Sequence, residues 1–125
     1  LLQHPNDFSH YVISSPSMWW NEGALQTLPD SYLQPLLKSK HNKFVRISVG
    51  EYEQTASPYV EANGERAKIL AEKQMVNKVD AMTKRLQALP TEHLRVESQH
   101  YPAETHTVAM FRAVLDGIKF TYHAQ

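Results

Sequence analysis

The 125-residue chain contains no cysteine, which excludes disulfide frameworks, thiolate nucleophiles and sulfur-ligated metals together and leaves the redox compartment open. It has no excess charge of either sign. Thirteen basic and 13 acidic residues give a formal net charge of zero, so neither a nucleic acid nor an anionic membrane surface is an expected partner. No apolar run approaches the roughly 20 residues that a helix needs to span a bilayer. Only four glycines are present, and none frames a serine. The Gly-x-Ser-x-Gly turn that holds a nucleophilic serine between a strand and a helix is therefore absent throughout. There is no internal repeat, linker or low-complexity tract. The start, Leu1-Leu-Gln-His-Pro5, is neither an initiator methionine nor a charged and then apolar leader, and it reads as a cut through something longer.

What is present alternates strand and helix signals, the pattern of parallel β-α-β units. Leu1 to Gln3 reads as a helix tail stopped by Pro5. Tyr11 to Ser15 is β-branched and broken by Pro16, which suits a buried strand ending in a loop. Leu25 to Lys40 carries Leu28, Leu33, Leu36 and Leu37 but also two prolines, so short helical pieces are expected. Phe44 to Val49 reads as a second buried strand, ended by Gly50 and the acidic Glu51-Tyr-Glu53. Between Glu65 and Leu89 lies the clearest helix signal. Met75, Val79, Met82, Leu86 and Leu89 recur there at three- and four-residue intervals as a core-facing stripe that Pro90 ends. Leu94 to Tyr101 alternates apolar and polar side chains, as a strand near a sheet edge does when one face is wetter. A last helix is expected from about Thr107, with Val108, Phe111, Val114 and Leu115 buried and Gly117 as its cap.

Parallel strands share their C-terminal side, so the loops after the three strands meet on one edge of the sheet, where chemistry usually sits. That edge collects Ser17, Trp19 and Trp20 after the first strand, Glu51 and Glu53 after the second, and Glu104 and His106 after the third. A carboxylate that fixes an imidazole and an imidazole that moves a proton for a serine are the parts of a hydrolase triad. Here the serine is missing. Ser14, Ser15 and Ser17 do not supply it, because none lies in a strand-to-helix turn flanked by glycines. Of the adjacent Trp19 and Trp20, one is expected to pack and the other to line the cleft. His93, His100, Glu104 and His106 lack the one-turn spacing of a helical metal-binding pair, and no metal or other cofactor is expected.

Tyr11-Val-Ile-Ser-Ser-Pro-Ser-Met-Trp-Trp-Asn21, Val45-Arg-Ile-Ser-Val-Gly-Glu-Tyr-Glu53, Glu104-Thr-His106 and Gly117-Ile-Lys-Phe120 together resemble the C-terminal part of the esterase D-like α/β-hydrolases. The resemblance covers nearly the whole chain, and the branch it is most similar to includes the siderophore trilactone esterases. It implies a partial α/β-hydrolase fold of about three parallel strands with flanking helices, residues 1–125 forming the C-terminal portion of one domain and the half with the nucleophile elbow lying outside them. It implies His106 as the catalytic base and, from the Gly-x-x-acid turn after the second strand, Glu53 as the acid, with Glu51 as the alternative. Where many relatives have glycine directly after the histidine, this chain has Thr107.

The activity that the resemblance implies is that of a serine carboxylic-ester hydrolase acting on a small-molecule ester, with Trp19, Trp20 and Ser17 as substrate-contacting candidates. The 125 residues alone are expected to be inactive. The competing expectation is a non-catalytic hydrolase-fold module retained for binding or self-association; a third reading, a small metal-dependent hydrolase, would require bound zinc, against the expectation of no metal. Either way, the Tyr11 to Ser15 strand would expose an apolar edge that recruits the missing half or another copy.

Overall fold

The computed structural model describes residues 1–123. A parallel three-stranded sheet is at its centre, built from β1 (His10–Ser14), β2 (Lys43–Gly50) and β3 (Leu94–Tyr101) in the order β1-β2-β3. Tyr11 pairs with Val45 and Val45 with Val96 across the sheet. A sheet that grows in one direction with right-handed crossovers must carry both crossovers on the same face. Both connections do lie together. The first consists of α1 (Trp20–Gly23), a 3-10 turn at Asp30–Leu33 and α2 (Gln34–Lys38). The second consists of a 3-10 turn at Glu51–Glu53, α3 (Glu65–Lys73) and α4 (Met75–Gln87).

The period of two along β2 decides what each face meets. Val45, Ile47 and Val49 point to the crossover side and join Val96, Leu33, Leu36 and the α4 stripe Met75, Val79, Met82 and Leu86 in the main core. The expected strands, the short helical pieces after Leu25 and the α4 stripe are all observed. The 65–89 segment is nevertheless two helices. Gln74 adopts a left-handed conformation (φ 49°, ψ 44°), ending α3 and starting α4. No helix forms at Leu1 to Gln3. Leu1 and Leu2 instead pack against the main core as partly buried side chains.

The other face is covered by α5 (His106–His123), and here the expected buried set is corrected. Val108, Phe111, Val114 and Leu115 are exposed, Phe111 at 71%. Ala109, Ala113, Gly117 and Phe120 are buried in their place. The first three lie at four-residue intervals and form a narrow strip of small side chains that lets the helix axis approach the sheet closely. A Cβ at Gly117 would stand 2.7 Å from Val12 Cγ1, so this glycine is a point of contact between α5 and β1 and does not cap the helix. Polar bonds tie the same helix down. Tyr101 donates its hydroxyl to Asp116 Oδ2 at 3.0 Å, and Arg46 donates from Nη1 to the Asp116 carbonyl at 3.2 Å.

On α5 the small residues meet the sheet, while the large ones form an exposed band with Ile118 and Tyr122. This band continues into an apolar groove between α5 and β1, lined by Val12, Val114 and Ile118 among others. β1 pairs on one side only among the described residues.

Candidate active site

The three strand ends deliver their loops to one place. After β1 the chain turns sharply at Ser15, which has φ 45° and is buried. After β2 the Glu51–Glu53 turn folds the Glu53 side chain back over the strand end. Its Oε1 accepts the Gly50 amide N–H at 2.8 Å and the Ser15 hydroxyl at 2.6 Å. After β3, Ala103 adopts φ 58° and the chain enters α5 at its first residue, His106. His106 Nδ1 lies 2.8 Å from Glu53 Oε2.

Burial divides the roles. Glu53 is 5% exposed and His106 58% exposed, so the carboxylate is enclosed by its donors while the ring looks outward. An ionised carboxylate only accepts hydrogen bonds, so the proton between them belongs to Nδ1. In a neutral ring Nε2 then keeps its lone pair. This is the tautomer a general base needs, and it is held by a carboxylate that is itself held at its other oxygen.

Gly50 allows the loops to converge. A Cβ there would come within 2.5 Å of the Glu104 carbonyl oxygen, which also accepts the Tyr52 amide N–H at 3.0 Å. Any side chain at position 50 would push away the loop that carries His106.

The remaining candidates separate. Glu51 does not reach the imidazole, since its Oε2 accepts the Ala103 amide N–H at 2.7 Å and steadies the turn before His106. Glu104 is paired with Arg112 at 3.0 Å. Ser17 and Trp19 line a cleft of about 440 Å³ together with Glu53 and His106. Trp20 does not line it and is 67% exposed; the two adjacent indoles diverge. His93 and His100 bond elsewhere, to Asn42 at 3.0 Å and Asp80 at 2.7 Å, so the histidines do not converge. Among the described residues no group of three or more His, Cys, Asp or Glu is placed to share a metal ion.

Two features of the site were not anticipated from the sequence. One is Ser15, whose backbone turn and bond to Glu53 become visible only when two loops 38 residues apart meet. The other is the cleft wall from α3, which contributes Arg66, Leu70 and Lys73. Their spacing of four and three residues places them on one helical face.

No family model and no curated protein matches the sequence. Solved structures do. Siderophore hydrolase EstA from Aspergillus nidulans aligns over 97% of this chain with a TM-score of 0.82 and 26% identity, and siderophore hydrolase EstB from the same organism over 96% with a TM-score of 0.77 and 20% identity. The chain spans 42% and 41% of their respective lengths. The resemblance to siderophore-esterase-like α/β-hydrolases is thus borne out, and the three-stranded parallel sheet with its helices is a partial α/β-hydrolase fold.

Proposed function

We propose that these residues supply the base and the acid of a serine carboxylic-ester hydrolase, the nucleophilic serine coming from polypeptide outside residues 1–125. Similarity to esterases supports a hydrolase kind of function. The observation that carries the finer reading is the Glu53 carboxylate, fixed through one oxygen by Ser15 and Gly50 and bonded through the other to His106 on the wall of a cleft.

In this reading His106 Nε2 takes the proton of the serine hydroxyl as the serine oxygen bonds to the ester carbonyl carbon. The C–O bond to the alcohol then breaks, and the alcohol leaves with the proton from His106. Water next attacks the acyl-serine, giving its proton to His106, and the carboxylic acid departs as the serine oxygen regains a proton. Glu53 stays ionised throughout and stabilises the imidazolium formed in each half. The partner that brings the serine would complete the sheet along β1 and cover the apolar band of α5. Unpaired strand edges and large apolar patches are the surfaces that recruit such cover.

The test is hydrolysis of a chromogenic ester by a protein that joins these residues to a segment with a Gly-x-Ser-x-Gly elbow. Turnover is expected there, and His106→Gln should lower it by roughly a thousandfold or more. Turnover unaffected by the His106 substitution would refute the proposal. Turnover by residues 1–125 alone would do so equally.

A further inference from the structure

The cleft beside His106 is not electrically neutral. Arg66 and Lys73 both line it from one face of α3. Neither has a carboxylate oxygen within 4.0 Å among the described residues. Lys73 Nζ instead lies 4.2 Å from the centroid of the Trp19 ring, also a cleft residue. The acids of the same helix, Glu65 and Glu72, do not line the cleft. Among the described residues Glu53 is the one acid that does, and its oxygens are already bonded to Ser15, Gly50 and His106. Two cations without anionic partners on a concave wall concentrate positive potential at the place where a ligand would sit.

We propose that the cleft selects an ester carrying an anionic group, a carboxylate in the simplest case, which Arg66 and Lys73 hold while the ester carbonyl lies toward His106. This inference rests on the hydrolase reading and names the substrate class for it. Arg66 offers the planar fork that matches a carboxylate, and Lys73 adds a second charge whose position is set by the Trp19 face. Leu70, between the two cations, and Trp19 give the carbon chain of such a substrate an apolar surface. Both cations are specificity determinants and take no part in bond making.

Binding of monoethyl glutarate and of diethyl glutarate to the serine-bearing protein, with its elbow serine replaced by alanine, tests this, followed by the NMR shifts of the Trp19 indole and the His106 ring. The two probes share an ester and a carbon skeleton and differ in charge. The mono-anion is expected to bind about tenfold tighter at low salt, with the preference shrinking as salt is raised. In the double variant Arg66→Gln, Lys73→Gln the preference should vanish while the diester still shifts the Trp19 signal. Equal affinities with both cations in place, or a preference that survives in the double variant, would overturn the inference. The hydrolase reading fails separately: if the serine-bearing protein cleaves neither ester but still prefers the mono-anion, that reading falls and anion selection stands.

Discussion

The Ser15 hydroxyl donates to the Glu53 carboxylate at 2.6 Å across 38 residues of sequence, and it does so from a backbone turn with φ 45°. A non-glycine residue in the left-handed region costs about 1–3 kcal/mol and persists only where its surroundings enforce it. At position 15 the hydrogen bond to a buried carboxylate compensates. Ser15 is accordingly a positioning residue: it touches the acid, the acid touches the base, and it does not itself reach the imidazole.

Replacing Ser15 by Ala should therefore remove a donor from a buried carboxylate while leaving the unfavourable turn in place. A loss of about 1–3 kcal/mol in unfolding free energy is expected by urea denaturation. Ser15→Gly relieves the turn and should recover part of that stability. It should not recover the fall in kcat of the serine-bearing protein, whereas Ser15→Thr, which retains the hydroxyl, should. A kcat that follows stability across the three variants would mean that Ser15 acts only in folding.

Glu53 and Glu51 are two residues apart in sequence but make different contacts, and substitution should show it. In the serine-bearing protein Glu53→Gln presents an amide to Nδ1, disturbs the tautomer and should lower kcat by roughly a thousandfold to ten-thousandfold with little change in KM. Glu51→Gln affects only the bond to the Ala103 amide and should cost far less. Equal losses would place the acid elsewhere.

Much of this arrangement was legible in the sequence. The β-branched runs gave the strands, and the Met75 to Leu86 spacing gave the α4 stripe because it has a period that only a helix fulfils. The loops after the strands then had to share an edge, which gathers Glu51, Glu53, Glu104 and His106, while the preference for Glu53 among them comes from the family resemblance. The last helix departs from its sequence pattern for a physical reason. Periodicity singles out the largest apolar side chains, but α5 meets the sheet through Ala109, Ala113 and Gly117. A helix that presents small residues to the sheet and large ones to solvent has no single apolar face. Ser15 was invisible for a different reason: a positive φ at serine has no sequence signature, and its partner lies on another loop.

The exposed band on α5 should govern association. Phe111 and Leu115, at 71% and 62% exposure, are expected to drive the isolated residues 1–125 into oligomers or aggregates, and Phe111→Lys with Leu115→Lys should shift sedimentation toward the monomer. In a protein that carries the rest of the sheet the same double substitution should destabilise, because those positions would then be covered. A monomeric wild-type chain at high concentration would show that the band recruits nothing.

Tyr101 predicts an alkaline limit. Burial first, then its hydrogen bond to Asp116 and the charge there, pushes its phenol up to about 12 from 10.0. The folded protein thus keeps a proton that the unfolded chain gives up, so the contribution is complete below about pH 10 and is lost as pH rises through about 12. A shift of this size corresponds to about 2–3 kcal/mol. Tyr101→Phe removes the titration, and its unfolding free energy should fall less steeply between those pH values than that of the wild type.

The most direct test is the rate at which a fluorophosphonate labels a protein joining residues 1–125 to a Gly-x-Ser-x-Gly elbow, in wild-type and His106→Gln forms. The predicted result is a single labelled serine outside residues 1–125, modified at a rate that falls by roughly a thousandfold or more when the imidazole is removed. Labelling that is indifferent to His106, or that falls on Ser14, Ser15 or Ser17, would contradict the assignment of the Glu53–His106 pair as the proton relay of a serine hydrolase.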